Sequence, residues 1–501
     1  MDLPLPENLL AEIHAQARQD PGVPRTNPTT AFWQMPPHPT LSDVQSPALR
    51  KTTDVAVIGS GITGCSVVSN LLSLGDASPS ASPPSTITVF EARQLTSGAT
   101  GRNGGLLSNF VPGEFTSLSA RFGHEQAAKV ARFANRTLEK MHALAGSTEE
   151  FQTVSEVRRL LDIILLADEE ALDEAKKSLA LYEEHVPEDR GKAMFYTPAE
   201  AEEHFSVKAA GGVLTYPNGA FWPYRLITAI WNKLYESNAD RLFIETNTPV
   251  QAVTYEPATR AEYPYVLCTL RGSVRAKKVV YATNGFSGHL LPQLRGCIFP
   301  LRGTMSTQKA TPEFGRHGDR FAWSMAGGAH YDADTQCINV GVYYASQNSK
   351  TGDIFIGGEK ARINELLVSD DTTIGAPCVE NLSTVLPRYF TKGWKEGQRP
   401  EIRKIWSGIM GFTADRVPIV GTLPSSITQR GPEGGEWIAA GFNGYGMPLC
   451  WSCGEAVAKM ILGLPVDDFL PEVFLPTEKR LKETRQNSSE HINQFLSGSL
   501  S

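Results

Sequence analysis

The most restrictive feature of this chain is a glycine pattern placed between a strand and a helix. Thr53–Ser60 (TDVAVIGS) is a short, apolar, β-branched run of the kind buried on both faces of a parallel sheet. It runs directly into Gly59-Ser60-Gly61-Ile62-Thr63-Gly64, a G-x-G-x-x-G spacing, and from Gly61 to Leu74 the apolar residues recur at helical spacing. Each glycine has its own reason. Gly59 permits the tight turn, Gly61 lets backbone approach a pyrophosphate, and Gly64 lets helix and strand touch. The helix start offers free N–H groups and the positive end of its dipole to phosphates.

Such a pattern alone is weak, and the second strand strengthens it. Thr86–Glu91 (TITVFE) is a buried strand ending in Glu91, where a carboxylate can accept hydrogen bonds from both ribose hydroxyls. Glu91 lies 27 residues past Gly64, a long interval that the Ser/Pro-rich stretch 77–85 explains as a surface loop. An acid at this position disfavours a 2′-phosphate, hence NADP. The unit predicts a dinucleotide site.

Composition narrows the class. With 501 residues, 41% of them hydrophobic and 20% charged, the chain has the make-up of a globular protein of about two domains. A net charge of −7 gives no basic footprint for nucleic acid or an anionic membrane. Seven scattered cysteines form no disulfide framework. Cys450-Trp-Ser-Cys453 is formally C-x-x-C, but no second pair or thioredoxin-like setting accompanies it, so it reads as two small helix residues and no metal site is expected. No signal peptide, membrane-spanning run or C-terminal targeting signal is recognised, so a cytoplasmic protein with no nucleic-acid or membrane partner is the expectation, and the sequence implies no particular protein partner.

Further along, residues 1–50 hold nine prolines and predict an extended lead-in over the surface. Helical patterns occupy about 117–145 and 168–186 with a strand, 157–167, between them, and Pro223–Ser237 is a helix opened by proline. Val250–Tyr255, Tyr265–Leu270 and Ala276–Ala282 predict a small antiparallel set. Strands dominate 298–360, among them Gln336–Tyr344 and Asp353–Gly357. The end is a strand (EWIAA), a glycine turn, and a helix opening near Pro448 and running to Leu462.

The stretch after Glu91 separates FAD from NAD. Ala92-Arg93, then Ser97-Gly98-Ala99-Thr100 and Arg102-Asn103-Gly104-Gly105, are too small and glycine-rich for a core element and read as a loop pressed against a large flat ligand. Here the sequence resembles the FAD-dependent D-amino-acid oxidase, glycine oxidase and sarcosine oxidase superfamily. Its SGATGRNGG run is similar to the branch containing γ-glutamylputrescine oxidase and fungal homologues. The resemblance covers about 52–465. It has further anchors in Thr248–Val250, in the Val279–Gly285 turn with Thr283, Asn284 and Gly285, and in Trp406–Pro418. The last is Trp437–Met447, whose turn carries Gly441, Asn443, Gly444, Tyr445, Gly446 and Met447. That turn, ahead of a helix start, could face a flavin oxygen that becomes negative on reduction.

The resemblance implies an α/β protein with a doubly wound, glutathione-reductase-like Rossmann domain for FAD and an inserted α+β substrate domain on an antiparallel sheet. The expected FAD domain comprises 51–125, 210–297 and 400–465, and the substrate domain 126–209 and 298–399, with a tail at 466–501. It also implies oxidation of a C–N bond of an amine or amino-acid-like substrate by hydride transfer to FAD, with O2 as acceptor and peroxide as product. A flavin dehydrogenase or tailoring oxidoreductase acting on a secondary metabolite, or a flavin-binding protein without turnover, is the alternative. Because no cysteine stands near Gly408, where some members attach FAD, non-covalent FAD is expected.

Arg102 and Asn103 are candidates beside the flavin ring, with Arg102 either contacting it or bracing the loop through carbonyls. Tyr343, Tyr344 and Gln347 are candidates over the flavin, with Trp406 and Met410 closing the pocket; plain core is the competing reading. Met410 stands where amino-acid-oxidising members place a carboxylate-binding arginine, which argues against a simple α-amino acid unless another arginine, such as Arg302, substitutes. His330 is a lone histidine in a glycine-rich turn, and Asp415-Arg416 reads as a local ion pair.

Overall fold

A computed structural model describes residues 7–78, 83–327 and 329–496; the middle of the expected Ser/Pro loop, 79–82, lies outside the described residues. The first sheet runs Ile419–Thr422, Glu436–Ala440, Gly272–Tyr281, Thr52–Ile58, Ile87–Phe90 and Leu242–Glu245 in spatial order. Thr52–Ile58 pairs in parallel with Ile87–Phe90 on one side and Gly272–Tyr281 on the other, with Ile58 opposite both Phe90 and Tyr281. Its residues alternate between two cores. Val55 and Val57 join the helices Ile62–Ala77, Pro223–Ser237 and Cys450–Ile461, whereas Ala56 and Ile58 join the meander Val250–Tyr255, Tyr265–Thr269 and Gly272–Tyr281.

The second sheet runs Ile402–Thr413, Ile298–Gln308, Ile354–Arg362, Cys337–Gln347, Phe321–Ala326, Arg158–Leu166, Val213–Ala220 and Met194–Tyr196. Its pairs are antiparallel except for Phe321–Ala326 beside Arg158–Leu166. One face, bearing Ile163, Trp323, Tyr343 and Ile356, is sealed by Cys378, Leu382 and Leu386 from the helices Ala376–Leu382 and Val385–Tyr389. The other face looks toward the first domain. The expected α/β fold with an inserted sheet is therefore what the chain forms.

Three expectations differ in detail. The segments 210–297 and 400–465 expected for the FAD domain contain Val213–Ala220 and Ile402–Thr413, and hydrogen bonding places both of these strands in the second sheet. The helix His124–Ala145, assigned to the substrate domain, packs into the core of the first through Ala127, Ala131 and Phe133. The lead-in is not merely extended: Glu7–Ala17 is a helix whose Ile13 and Ala17 bury against Phe299 and Leu301, while Ala31, Trp33 and Leu41 are also buried. Among the described residues, no helix is long and apolar enough to cross a membrane.

Candidate active site

The nucleotide end is built as its glycines require. Gly59 has φ +111°, and a Cβ on Gly64 would lie 2.0 Å from the Gly59 carbonyl oxygen, so helix and turn touch at van der Waals limits. Cys65 N–H bonds Gly61 O at 2.9 Å, which leaves the Thr63 and Gly64 amides without a helical acceptor at the end of the sheet. Ser60 is buried and held from several sides: Trp231 Nε1 donates to its carbonyl at 2.9 Å, Thr96 Oγ1 does so at 3.0 Å, and its hydroxyl accepts Thr96 N–H at 2.8 Å.

Glu91 sits at the tip of Ile87–Phe90 with its carboxylate oriented by three donors. Oε2 accepts Ser60 N–H (3.1 Å) and Ser60 Oγ (2.7 Å), and Oε1 accepts Arg93 N–H (3.0 Å). A carboxylate has roughly four acceptor positions, so one remains for a ribose hydroxyl. Thr248 N–H bonds the Glu91 carbonyl at 2.8 Å, which brings the start of Val250–Tyr255 beside it. Open helix amides, a close-packed glycine turn and an oriented carboxylate fit the phosphate and ribose parts of FAD.

The loop after Ala92 is drawn tight. Ile62 N–H donates to Thr100 Oγ1 at 3.0 Å, so the loop covers the helix start. Asn103 folds back on it, donating to the Ala99 and Thr100 carbonyls at 3.0 and 2.8 Å and accepting Gly105 N–H at 2.8 Å. Arg102 is buried, and its guanidinium spans the Ser97, Thr29 and Ser407 carbonyls at 2.9, 2.8 and 2.8 Å, with Asp371 at 3.6 Å. Burial and neighbouring Arg93 lower its pKa while Asp371 opposes them. Of its two sequence readings, the geometry is that of the brace.

Sequence reasoning missed what holds this brace. Asp371 also accepts both oxygens' worth of contact from Arg93 Nη1, at 2.9 and 3.1 Å. The lead-in supplies Thr29, Gln34, which donates to the Ser97 and Gly101 carbonyls at 3.1 Å, and Trp33, which donates to the Asn103 carbonyl. No local pattern marks these residues.

The turn Thr283–Gly285 and the turn after Glu436–Ala440 meet at the edge strand. Asn284 Oδ1 accepts Gly441 N–H at 3.1 Å, Asn443 N–H donates to Gly411 O at 2.9 Å, and Asn443 Oδ1 accepts Thr413 N–H at 2.8 Å. A Cβ on Gly285 would sit 2.5 Å from the Met410 carbonyl. Gly444 lies beside the Met410 sulfur and Phe412, and Gly446 lies against the Cys450 thiol. Met447 packs on the helix core. Cys450 and Cys453 are free and buried, and burial pushes the Cys450 thiol up to about 12.

On the inward face of the second sheet, Tyr344 lies against Gly104, Met305 and Gly357, and Trp406 Nε1 donates to the Arg102 carbonyl at 2.8 Å. Tyr343 points the other way and donates to Asn381 Oδ1 at 2.9 Å, because successive strand residues alternate faces. Gln347 is taken up by the Gly315 and Gly352 carbonyls, both at 3.0 Å. Neither can stand over a flavin. His330 is exposed on the strand His330–Asp332.

Asp415 and Arg416 do not pair with each other: Arg416 has φ +65°, which turns them apart, Asp415 toward Arg480 (2.7 Å) and Arg416 toward Glu114 (3.1 Å). Arg302 is buried under the segment 363–375, with Thr373 Oγ1 at 3.3 Å and Glu365 at 3.7 Å. A cavity lined by Phe110, Glu114, Phe412, Arg416, Asn443 and Tyr445 opens beside the glycine turn.

Comparison with known proteins agrees with this architecture. The chain is 23% identical over 440 residues to the "Probable oxidoreductase OrdL" of Rhizobium meliloti (strain 1021), covering 86% of this chain and 88% of that one. It is 23% identical over 415 residues to the gamma-glutamylputrescine oxidoreductase of Escherichia coli (strain K12), covering 82% and 84%. Glycine oxidase from Geobacillus kaustophilus shares the fold with a TM-score of 0.60 at 19% identity, covering 86% of this chain and 99% of that one. L-proline dehydrogenase from P. horikoshii does so equally, at 0.60 and 19%, covering 85% and 98%. The family model for FAD dependent oxidoreductases (DAO) matches residues 54–460, and the chain belongs to that family.

Proposed function

We propose that this protein oxidises a C–N bond of an amine or amino-acid-like substrate with non-covalently held FAD, passing the electrons to O2 with release of H2O2. The observation that carries the reading is the convergence of the Thr63 and Gly64 amides, the oriented Glu91 and the braced loop 97–105 on one dinucleotide-shaped site in a chain of the FAD dependent oxidoreductase family. The named relative that acts on an amine, the gamma-glutamylputrescine oxidoreductase, supports the substrate class. The strand Ile402–Thr413 carries no cysteine, which supports a non-covalent cofactor.

When bound, FAD supplies the acceptor for a hydride from the carbon next to nitrogen, and the oxidised substrate is an imine that water hydrolyses. The chain's own part is placement and water exclusion. Thr63 and Gly64 would hold the phosphates through their backbone amides, and Glu91, oriented by Ser60, the ribose. Arg102, fixed by three carbonyls and Asp371, keeps the loop 97–105 rigid. Tyr344, Trp406 and Met410 would shape the space in which the substrate lies, and no side chain is required as an obligatory base.

The test is direct. Purified protein should be yellow, and acid precipitation should leave the colour in solution; a colourless chain that cannot be reconstituted with FAD overturns the reading. A panel of amines and N-methyl amino acids should bleach the flavin anaerobically and release peroxide in air. Bleaching without peroxide would identify a dehydrogenase. No bleaching by any of them would leave a flavin-binding protein without turnover.

A further inference from the structure

The flavin loop is held from outside the segment that the family model matches. That segment begins at residue 54, yet Trp33 and Gln34 of the lead-in reach the loop 97–105 directly. Their bonds have one direction: both side chains donate, and the acceptors are carbonyls. Every carbonyl from Ser97 to Asn103 has a donor from the chain. Ser97 O accepts from Arg102 Nε at 2.9 Å and Gln34 Nε2 at 3.1 Å, and Gly98 O from Gly101 N–H at 3.0 Å. Ala99 O and Thr100 O accept from Asn103 Nδ2 at 3.0 and 2.8 Å, and Arg102 O from Trp406 Nε1 at 2.8 Å. Among the described residues, the Gly101 and Asn103 carbonyls have only the lead-in: Gln34 Nε2 at 3.1 Å for the first and Trp33 Nε1 for the second.

The donors of the same loop are left the other way. Among the described residues, none accepts from the amides of Gly98, Ala99, Thr100, Asn103 and Gly104. Thr100 and Gly104 are buried, and Ser97 Oγ, in a residue 3% exposed, also lacks a partner among the described residues. Buried amides are rarely left open in a finished fold, and a run of open N–H groups receives negative charge. The loop ends at the proposed substrate face, where Gly104 meets the Tyr344 ring and Met305. FAD is the group expected there, and hydrogen bonds to its ring system are what a protein uses to tune it.

Holding matters because the loop is rich in glycine. Gly98, Gly101, Gly104 and Gly105 let its peptide planes turn, and a turned plane exchanges a donor for an acceptor. The lead-in is packed close enough to prevent this. A Cβ on Gly101 would lie 2.6 Å from Gln34 Nε2, and one on Gly105 would lie 3.2 Å from the Trp33 ring. Trp33 is fixed in turn by stacking on Phe355 at 4.1 Å and by Trp222 Nε1, which donates to its carbonyl at 2.7 Å.

We propose that the lead-in tunes the flavin: Trp33 and Gln34 are positioning residues that keep the loop's carbonyls committed to the protein, so that its amides hold reduced FAD more tightly than oxidised FAD. The proposal rests on FAD occupying the site, as above, and gives a role to residues outside the family-matched segment. It is independent of the substrate.

The experiment measures the reduction potential of FAD in the purified holoenzyme, by equilibration with a redox dye during anaerobic photoreduction without substrate, alongside thermal unfolding. Trp33→Phe keeps a stacked ring and removes the donor to Asn103; Gln34→Ala removes the donor to Gly101. Each should cut the preference for reduced over oxidised FAD by at least about threefold. The double variant should cut it by about tenfold, a potential lower by about 30 mV for a two-electron couple. Thr30→Ala, at an exposed position of the same segment, should shift nothing. A merely structural lead-in would lower the unfolding temperature and leave the potential unchanged, and that result overturns the proposal. An equal loss of affinity for both oxidation states overturns it too. Should Gln34→Ala fail to fold, Trp33→Phe decides alone, because its packing is retained. A chain that binds FAD but oxidises no amine would defeat the proposed function and leave this proposal standing; a chain that binds no FAD would overturn both.

Discussion

The two ends of the site are made in opposite ways. The nucleotide end is local: Gly59 to Gly64 and Glu91 lie on two adjacent parallel strands and one helix, and their contacts span about thirty residues of chain. The proposed substrate face instead draws on Tyr344, Trp406 and Met410, which come from two strands of the second sheet. A pyrophosphate binds to backbone amides, and the turn that presents them leaves no room for a side chain at Gly64, whose Cβ would lie 2.0 Å from the Gly59 carbonyl oxygen. A substrate binds to side chains that the sheet merely presents. The first site is therefore intolerant of added volume, and the proposed second one of a change in the side chains presented.

The largest effect should come from adding volume at the nucleotide end. Gly64→Val would push a side chain toward the Gly59 carbonyl, already 2.0 Å from a Cβ, and force the helix Ile62–Ala77 off its strand. FAD affinity should fall by at least about a hundredfold, because close approach of the backbone is what the motif provides. Gly113→Ala, where a Cβ meets nothing within 4 Å, is the comparison and should leave cofactor content unchanged. Absorbance of the purified variants reads both, and a yellow Gly64→Val protein would break the contrast.

Next comes the brace between the two ends. Arg102→Ala removes bonds to the Ser97, Thr29 and Ser407 carbonyls and leaves those buried acceptors short. A loss of about 3 kcal/mol of stability is expected. Arg102→Lys should recover only part of it, since an ammonium cannot reproduce the planar fork. Thermal unfolding of the holoenzyme tests this. Full stability with an altered flavin reduction potential would return Arg102 to the role of a ring contact.

The same contrast explains what could be read beforehand. Strands Thr52–Ile58 and Glu436–Ala440 and helix Pro223–Ser237 are visible because burial on both faces, or a proline at a helix start, leaves a local mark. So is the pairing of Glu91 with the glycine turn. The clamp of Thr29, Trp33 and Gln34 on the loop 97–105 is not, because a proline-rich segment buried by long-range contact looks like one that is exposed. Val213–Ala220 carries no sign of which sheet it will join; its register with Arg158–Leu166 decides that. Asp162 sits inside RRLLDIILL, where one acid in an apolar strand reads as an interruption until its face is known.

A smaller, opposite-signed effect should appear at Asp162, on the inward face of the second sheet. Burial raises the Asp162 carboxyl to about 6, against which the hydrogen bond from Ser324 works only in part. The unfolded value is about 3.9, so between about pH 4 and 6 the folded state holds the extra proton and stability is lost as pH rises. Above that window the cost is constant. Asp162→Asn escapes it, so its advantage over the wild-type chain should be near zero at about pH 4 and reach about 2 kcal/mol by pH 7. Urea unfolding at the two pH values measures the difference. A variant less stable at pH 7 would mean that the bonded carboxylate belongs to the architecture of the second sheet.

The smallest effect isolates what Tyr344 contributes to the proposed substrate face. Tyr344 lies with its ring edge against Gly104, and burial together with the nearby Glu359 holds its phenol well above the usual range, so it carries no charge at any working pH. If the ring face is what an ammonium meets, removing the hydroxyl changes little, since the quadrupole of phenylalanine is close to that of tyrosine. Tyr344→Phe should alter n-butylammonium affinity by less than about threefold, whereas Tyr344→Leu, which keeps an apolar side chain and discards the π face, should weaken it by about fivefold or more. Equal losses in both variants would assign the contribution to the hydroxyl, and would make the proposed substrate face a hydrogen-bonding surface rather than an aromatic one.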